Sequence, residues 1–178
     1  MRLASLRLSC IADCSNRLYW LLAISVLATS ALTAADTVTL EPLRDATLYE
    51  HSEGALANGA GEFLFIGRSG QPEKRRLLLA FDVAGSVPQG ASITAVSLFL
   101  HMSRTISGPR ASNLHLLVKQ WGEGASDAIG NQGNEGTGIS SAAGDATWIH
   151  SSFPDETWES VGGDFTSPAR ASLDIDQE

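Results

Sequence analysis

Cysteine is nearly absent from this 178-residue sequence, and its two copies, Cys10 and Cys14, lie in the first fourteen residues. That excludes the disulfide framework common in small exported domains. Basic residues are scarce as well, with twelve Lys and Arg against twenty Asp and Glu and a formal net charge of −8. A chain so acidic is a poor ligand for a phosphate backbone, which excludes nucleic acid as a partner. Amphipathic helical periodicity is missing after residue 35. So are the Gly-x-Ser-x-Gly elbow of serine hydrolases and the His-Glu-x-x-His spacing of zinc enzymes. Two carboxylates meeting across a fold could still form a glycosidase site, but no residue pattern points to one, and the chain reads as non-catalytic.

The N-terminus does carry a pattern. Residues 1–17, MRLASLRLSCIADCSNR, hold Arg2, Arg7 and Arg17, and residues 18–35, LYWLLAISVLATSALTAA, are apolar. Thr33, Ala34 and Ala35 supply small residues at a cleavage site before Asp36. This is the layout of a secretory signal peptide; an uncleaved membrane anchor is the alternative, since the run is about long enough to span a bilayer. Cleavage removes three basic residues and one acidic one, leaving nine against nineteen and a net charge of −10. Both cysteines leave with the leader. Cys14 is not a lipoprotein cysteine, because it precedes the apolar run. The expected product is an extracytoplasmic chain, secreted, periplasmic or on the cell surface. It has no stable membrane span after cleavage, and residues 36–165 form one module with a truncated or disordered tail at 166–178.

Within the module the apolar residues fall into short alternating runs: 37–40, 46–49, 62–66, 77–83, 96–102, 114–120 and 147–150. Gly, Pro, Asn and Ser clusters separate them. Many short strands between turn signals predict an all-β fold, an antiparallel β-sandwich of jelly-roll type. Leu77, Leu79, Phe81, Leu98, Leu100 and Leu116 are the expected inward positions. Asp82, the one acid of the 77–83 run, calls for an arginine partner if buried. VAGSVPQGASITAVS, residues 83–97, reads as a crossover turned by Pro88 and Gly90. Beyond Gly122 the strand signals fade, and the tail offers only Leu173 and Ile175 as apolar anchors. A sandwich built from these strands is incomplete at its C-terminal end.

WGEGASDAIGNQGNEGTGISSAAGDATW, residues 121–148, holds seven glycines and four carboxylates and no basic residue. Calcium is the one cofactor it suggests, with Asp127, Asn131, Glu135 and Asp145 as candidate oxygen ligands. The spacing fails the EF-hand pattern, because Gln132 stands where the turn glycine belongs and Gly138 where the bidentate glutamate belongs. The competing reading is a long glycine-rich spacer without regular structure.

RRLLLAFDVAGSVPQGASITAVSLFLHM, residues 75–102, resembles the signature of the DNRLRE domain, related to carbohydrate-binding module family 96. A basic residue precedes Leu-Leu-x-Phe-Asp, then Pro-x-Gly-Ala-x-Ile, then an alternating strand. RDATLYEHSEGALANGAGEFLFIGR upstream and the KQWGEG and GDATW elements downstream are similar to other parts of that family. The resemblance implies a β-sandwich from secreted, often multidomain bacterial proteins, with no catalysis and with polysaccharides such as alginate as ligands of characterised members. Family chains continue past the segment similar to Gly162, Gly163, Asp164 and Phe165 with further strands; no such run follows here.

Polysaccharide binding therefore leads among the functional expectations, with a structural or adhesive cell-envelope module lacking a sugar site as the alternative. Aromatic faces stack on sugar rings where they are exposed. Trp158, in the polar stretch PDETWES, is the expected exposed ring. Trp148 and the alternating His150 complete the candidate ligand-binding set, while Trp121 is expected in the core. His101 and His115 read as sheet-surface residues.

Overall fold

The computed structural model describes residues 4–12, 36–68, 73–130 and 132–176, the side chains of 132 and 133 excepted. The apolar run at 18–35 lies outside the described residues. In chain order the strands are β1 (Ala4–Ala12), β2 (Asp36–Leu40), β3 (Arg44–Tyr49), β4 (Leu56–Ala57), β5 (Gly67–Arg68), β6 (Lys74–Ala80), β7 (Ala91–Leu100), β8 (Arg110–Leu114), β9 (Ile139–Ser140), β10 (His150–Ser152), β11 (Glu156–Thr157) and β12 (Ala171–Ile175). Two four-residue helical turns, α1 (Val83–Ser86) and α2 (Gln132–Glu135), interrupt them. The sheets are β2-β1-β7, β3-β6-β5, β4-β9, β10-β11 and β12-β8, with antiparallel pairing in each. The fold is all-β and sandwich-like, and the described strands close no barrel.

The core forms where β3 and β6 meet the tryptophans. Ala46 and Leu48 of β3, Leu78 of β6, Trp121, Ala146, Trp148 and Trp158 make one buried cluster, with Ala80 and Leu117 packed against it. The same face of β6 carries Arg76, whose guanidinium lies 4.8 Å from the Trp148 ring and 5.1 Å from Phe165. Period-two alternation then turns Arg75, Leu77 and Leu79 to the opposite face, where Arg75 stacks 5.0 Å from Tyr49. This is one residue out of register with the expectation: Leu78, not Leu77 and Leu79, enters the core. Three consecutive leucines fit either face, and two arginines that use their stems as hydrophobes and their heads as ring partners hide the parity.

β3 is buried on both faces from Ala46 to Tyr49. Its outer side is covered by the glycine-rich loop: the Tyr49 hydroxyl donates to the Glu135 carbonyl at 2.6 Å, and Arg75 Nε donates to the Gly136 carbonyl at 3.3 Å. Among the described residues the β3-β6-β5 sheet is thus covered on one face by the tryptophans around β10-β11 and on the other by the glycine-rich loop.

Three further placements bear on the expectations. First, in the uncleaved chain β1, from the leader-like segment, is the middle strand between β2 and β7. Its sequence ASLRLSCIA alternates, with Ala4, Leu8 and Cys10 buried on one face and Arg7 exposed on the other. The placement describes the full chain; cleavage after Ala35 would remove this strand. Second, the tail at 166–178 contributes β12, which pairs with β8 from Ala171–Leu114 to Ile175–Arg110. The ladder extends through Arg170 N–H to Leu114 O, Thr166 N–H to Leu116 O and the Leu117–Phe165 bridge. Third, Asp82 is exposed and caps α1, accepting the Gly85 N–H at 2.8 Å, which satisfies an orphan helix donor instead of pairing an arginine.

The strands β7, β8 and β12 bury little. Val96 is 59 %, Phe99 48 %, Leu114 44 % and Leu173 71 % exposed, and Leu116, just past β8, is 55 % exposed. Leu100 is exposed as well, Leu98 only half-buried, and Phe81 intermediate. The expected inward positions on these strands find no opposing layer among the described residues.

Candidate functional site

The loop between Trp121 and Trp148 is tied to the sheet by its own carboxylates. Glu135 is buried and its Oε2 accepts from Asn58 Nδ2 at 3.0 Å and Phe63 N–H at 2.8 Å. Asn58 Oδ1 in turn accepts the Ala128 N–H at 2.8 Å. Ser126 takes the Gly59 N–H on its hydroxyl at 3.1 Å and the Ala60 N–H on its carbonyl at 2.8 Å. Asp145, fully buried, accepts from Ala142 N–H at 2.6 Å through Oδ2 and from Ser126 N–H at 3.4 Å through Oδ1. Gly124, at φ +72°, brings its backbone so close that a Cβ would overlap the Asp145 carboxylate. The glycine is therefore required both for its left-handed backbone and for this approach.

These contacts answer the question the loop raises. It carries one helical turn and a two-residue strand, β9, paired with β4, so it is not a structureless spacer. Its acidic oxygens face backbone N–H groups. Among the described residues no three His, Cys, Asp or Glu side chains gather as a metal set. Asp127 is exposed, Glu135 and Asp145 serve separate N–H donors, and Asn131 lies outside the described residues.

The candidate sugar platform is not brought to the surface. Trp158 is 5 % and Trp148 7 % exposed. Trp158 Nε1 donates to the Thr147 carbonyl at 2.8 Å, and Trp148 is covered by Arg76 and by the Gly162 backbone, where a Cβ would stand 2.9 Å from the ring. PDETWES is polar because its other residues face solvent; the tryptophan plugs the core beneath them. His150 is half-buried, with Nδ1 3.0 Å from Thr147 Oγ1 and its ring edge-on to Phe153 at 5.0 Å. It serves the turn that carries Trp148. His115 is held likewise, with Nδ1 2.8 Å from the Thr166 carbonyl and its ring 4.9 Å from Phe165. Trp121 is buried as expected, under Arg44 at 5.2 Å.

A different concavity lies where β3 begins. A cleft of about 400 Å³ opens between the residues before β3, the 59–62 turn and the start of the long loop. Glu41, Asp45, Glu62 and Glu123 line it together with Ala4 of β1, and no basic residue lines it among the described residues. Glu123 Oε1 accepts the Asp45 N–H at 2.9 Å, fixing one wall to the other. Gly59, Gly61 and Gly124 bring backbone to the walls between these side chains. Such a site accepts hydroxyl and amine donors and repels carboxylated ligands. Sequence reading missed it because its four acids come from three separate segments, and each reads alone as a solvated surface residue.

Tyr49, which bonds to the loop through its hydroxyl, is electrostatically perturbed. Burial pushes its phenol up to about 12, against smaller opposing effects of the Thr47 and Asn58 hydrogen bonds and the Arg75 charge. The hydroxyl therefore stays a donor to Glu135 at ordinary pH.

No protein-family model, curated protein or solved structure matches this chain.

Proposed function

We propose that this chain is a non-catalytic, extracytoplasmic β module that works by contact with other envelope polypeptides. One observation carries the reading. Val96 of β7, Leu173 of β12 and Leu116, just past β8, are more than half exposed, while Trp121, Trp148 and Trp158 are buried. Apolar strands lying open in this way mark protein–protein surfaces. The signal-like leader and the motif resemblance to secreted modules support the same assignment.

Polysaccharide binding is the second reading, and the cleft at Glu41, Asp45, Glu62 and Glu123 supports it in a changed form. The ligand would be neutral or amino-bearing rather than a uronate such as alginate, because four carboxylates repel a carboxylated chain. A glycan array separates the two readings. The structural reading expects no retained glycan. A neutral or amino glycan that binds, and is lost on Asp45→Asn with Glu123→Gln, would replace it with the sugar reading.

A further inference from the structure

The middle strand of the β2-β1-β7 sheet comes from the segment that export would remove. β2 pairs with β1 from Leu6–Leu40 to Cys10–Asp36, and β7 pairs with it from Ala4–Leu100 to Ala12–Ala91. Among the described residues neither β2 nor β7 has another ladder. Cutting after Ala35 leaves two strands about 10 Å apart, twice the usual ~4.8 Å spacing, each with an unpaired row of N–H and C=O groups.

We infer that the cleaved chain carries a strand seat between β2 and β7 that takes an extended segment of another polypeptide. β1 itself defines the chemistry. The seat accepts a nine-residue strand antiparallel to both walls, with small or apolar side chains at alternate positions. Leu8 is 1 %, Cys10 4 % and Ala4 7 % exposed on the inward face. On the outward face Arg7 stacks 4.9 Å from the Phe99 ring. Thr94 Oγ1 donates to the Ser9 carbonyl at 3.0 Å, and Cys10 Sγ points to the Asp36 carbonyl at 3.6 Å. Main-chain pairing supplies affinity and the alternate pockets supply selectivity, as in other strand additions. The one charge in β1 is Arg7, and the chain left after cleavage has a net charge of −10. A neutral or basic partner strand fits; a second copy of this acidic chain is repelled and brings no residues 4–12.

The inference rests on the export reading, because only removal of residues 1–35 empties the seat. N-terminal sequencing of the exported chain tests cleavage separately. The seat is tested on the full chain with a protease site replacing residues 18–35, purified and then cut. A fluorescent peptide ASLRLSCIA, with serine for its cysteine, is added in excess. The cut fragment should stay with the body through gel filtration, and the labelled peptide should exchange in at one per chain. The peptide with Leu8→Asp should bind at least ~30-fold more weakly, equivalent to about 2 kcal/mol. The peptide with Arg7→Glu should bind about 2–5-fold more weakly through loss of the Phe99 contact. Backbone amides of β2 and β7 should be protected from hydrogen exchange only while a peptide is bound. Loss of the fragment without exchange, equal binding of the Leu8→Asp peptide, or a dimer of the cut body that the peptide does not dissociate would each overturn the inference.

Discussion

Replacing Trp158 separates a core tryptophan from a sugar platform. The ring is 5 % exposed, packs in the cluster with Leu48, Leu78 and Trp148, and donates its N–H to Thr147 O at 2.8 Å. Trp158→Ala removes that packing, at a typical cost of about 3–5 kcal/mol. It also leaves the Thr147 carbonyl unpaired in a buried place, which adds about 1 kcal/mol or more. A domain of this size holds about 5–15 kcal/mol in all, so the variant should be close to unfolding. With about 2–4 °C per kcal/mol for a chain of this length, Tm should fall by roughly 8–24 °C. Trp158→Phe keeps most of the ring and loses the hydrogen bond, so it should cost about 1–3 kcal/mol and a correspondingly smaller drop. Far-UV circular dichroism during heating, with urea titration as a check, measures both. A platform role would give the reverse: unchanged melting with lost ligand binding. Trp158→Ala melting within about 2 °C of the parent would refute the packing argument.

Asp145→Ala should destabilise by about 1–3 kcal/mol, because Ala142 N–H and Ser126 N–H lose their buried acceptor; a urea midpoint equal to the parent's would show that water replaces the carboxylate. Millimolar calcium should leave Tm unchanged, since the Glu135 and Asp145 oxygens already accept backbone or amide N–H groups. Saturation at ~100 times a dissociation constant would instead add about 2.7 kcal/mol, and a calcium-dependent rise in Tm would establish the ion site. Tyr49 has its folded pKa raised from 10.0 to about 12. Its contribution to stability is therefore complete below pH 10 and lost as pH rises through about 12. Absorbance at 295 nm should show this phenol ionising near 12, and an ionisation near 10 assigned to Tyr49 by its Phe variant would contradict its burial.

The strand class was written in the alternation of TVTL, ATLY and the leucine-rich run, because a two-residue period has no other comfortable backbone. β2, β3 and the overlap of β6 and β7 with the expected runs follow from that local pattern alone. The 62–66 run, apolar enough to read as a strand, is irregular instead, with Phe63 N–H and Phe65 N–H given to the Glu135 carboxylate and the Thr47 hydroxyl rather than to a neighbouring strand. Which face of β6 enters the core could not be read from three consecutive leucines; the stacking of Arg76 on Trp148 decided it, a contact across more than seventy residues. The tryptophans carried the same ambiguity. A ring in a polar stretch is exposed or buried according to what lies beneath it, and only the fold brought Leu48 and Leu78 under Trp158. The acidic cleft and the N–H donors around Asp145 also depend on distant segments. Local sequence thus determined strand content and charge. Burial, register and the meeting of side chains were decided by tertiary structure, because each is a relation between segments that no single stretch contains.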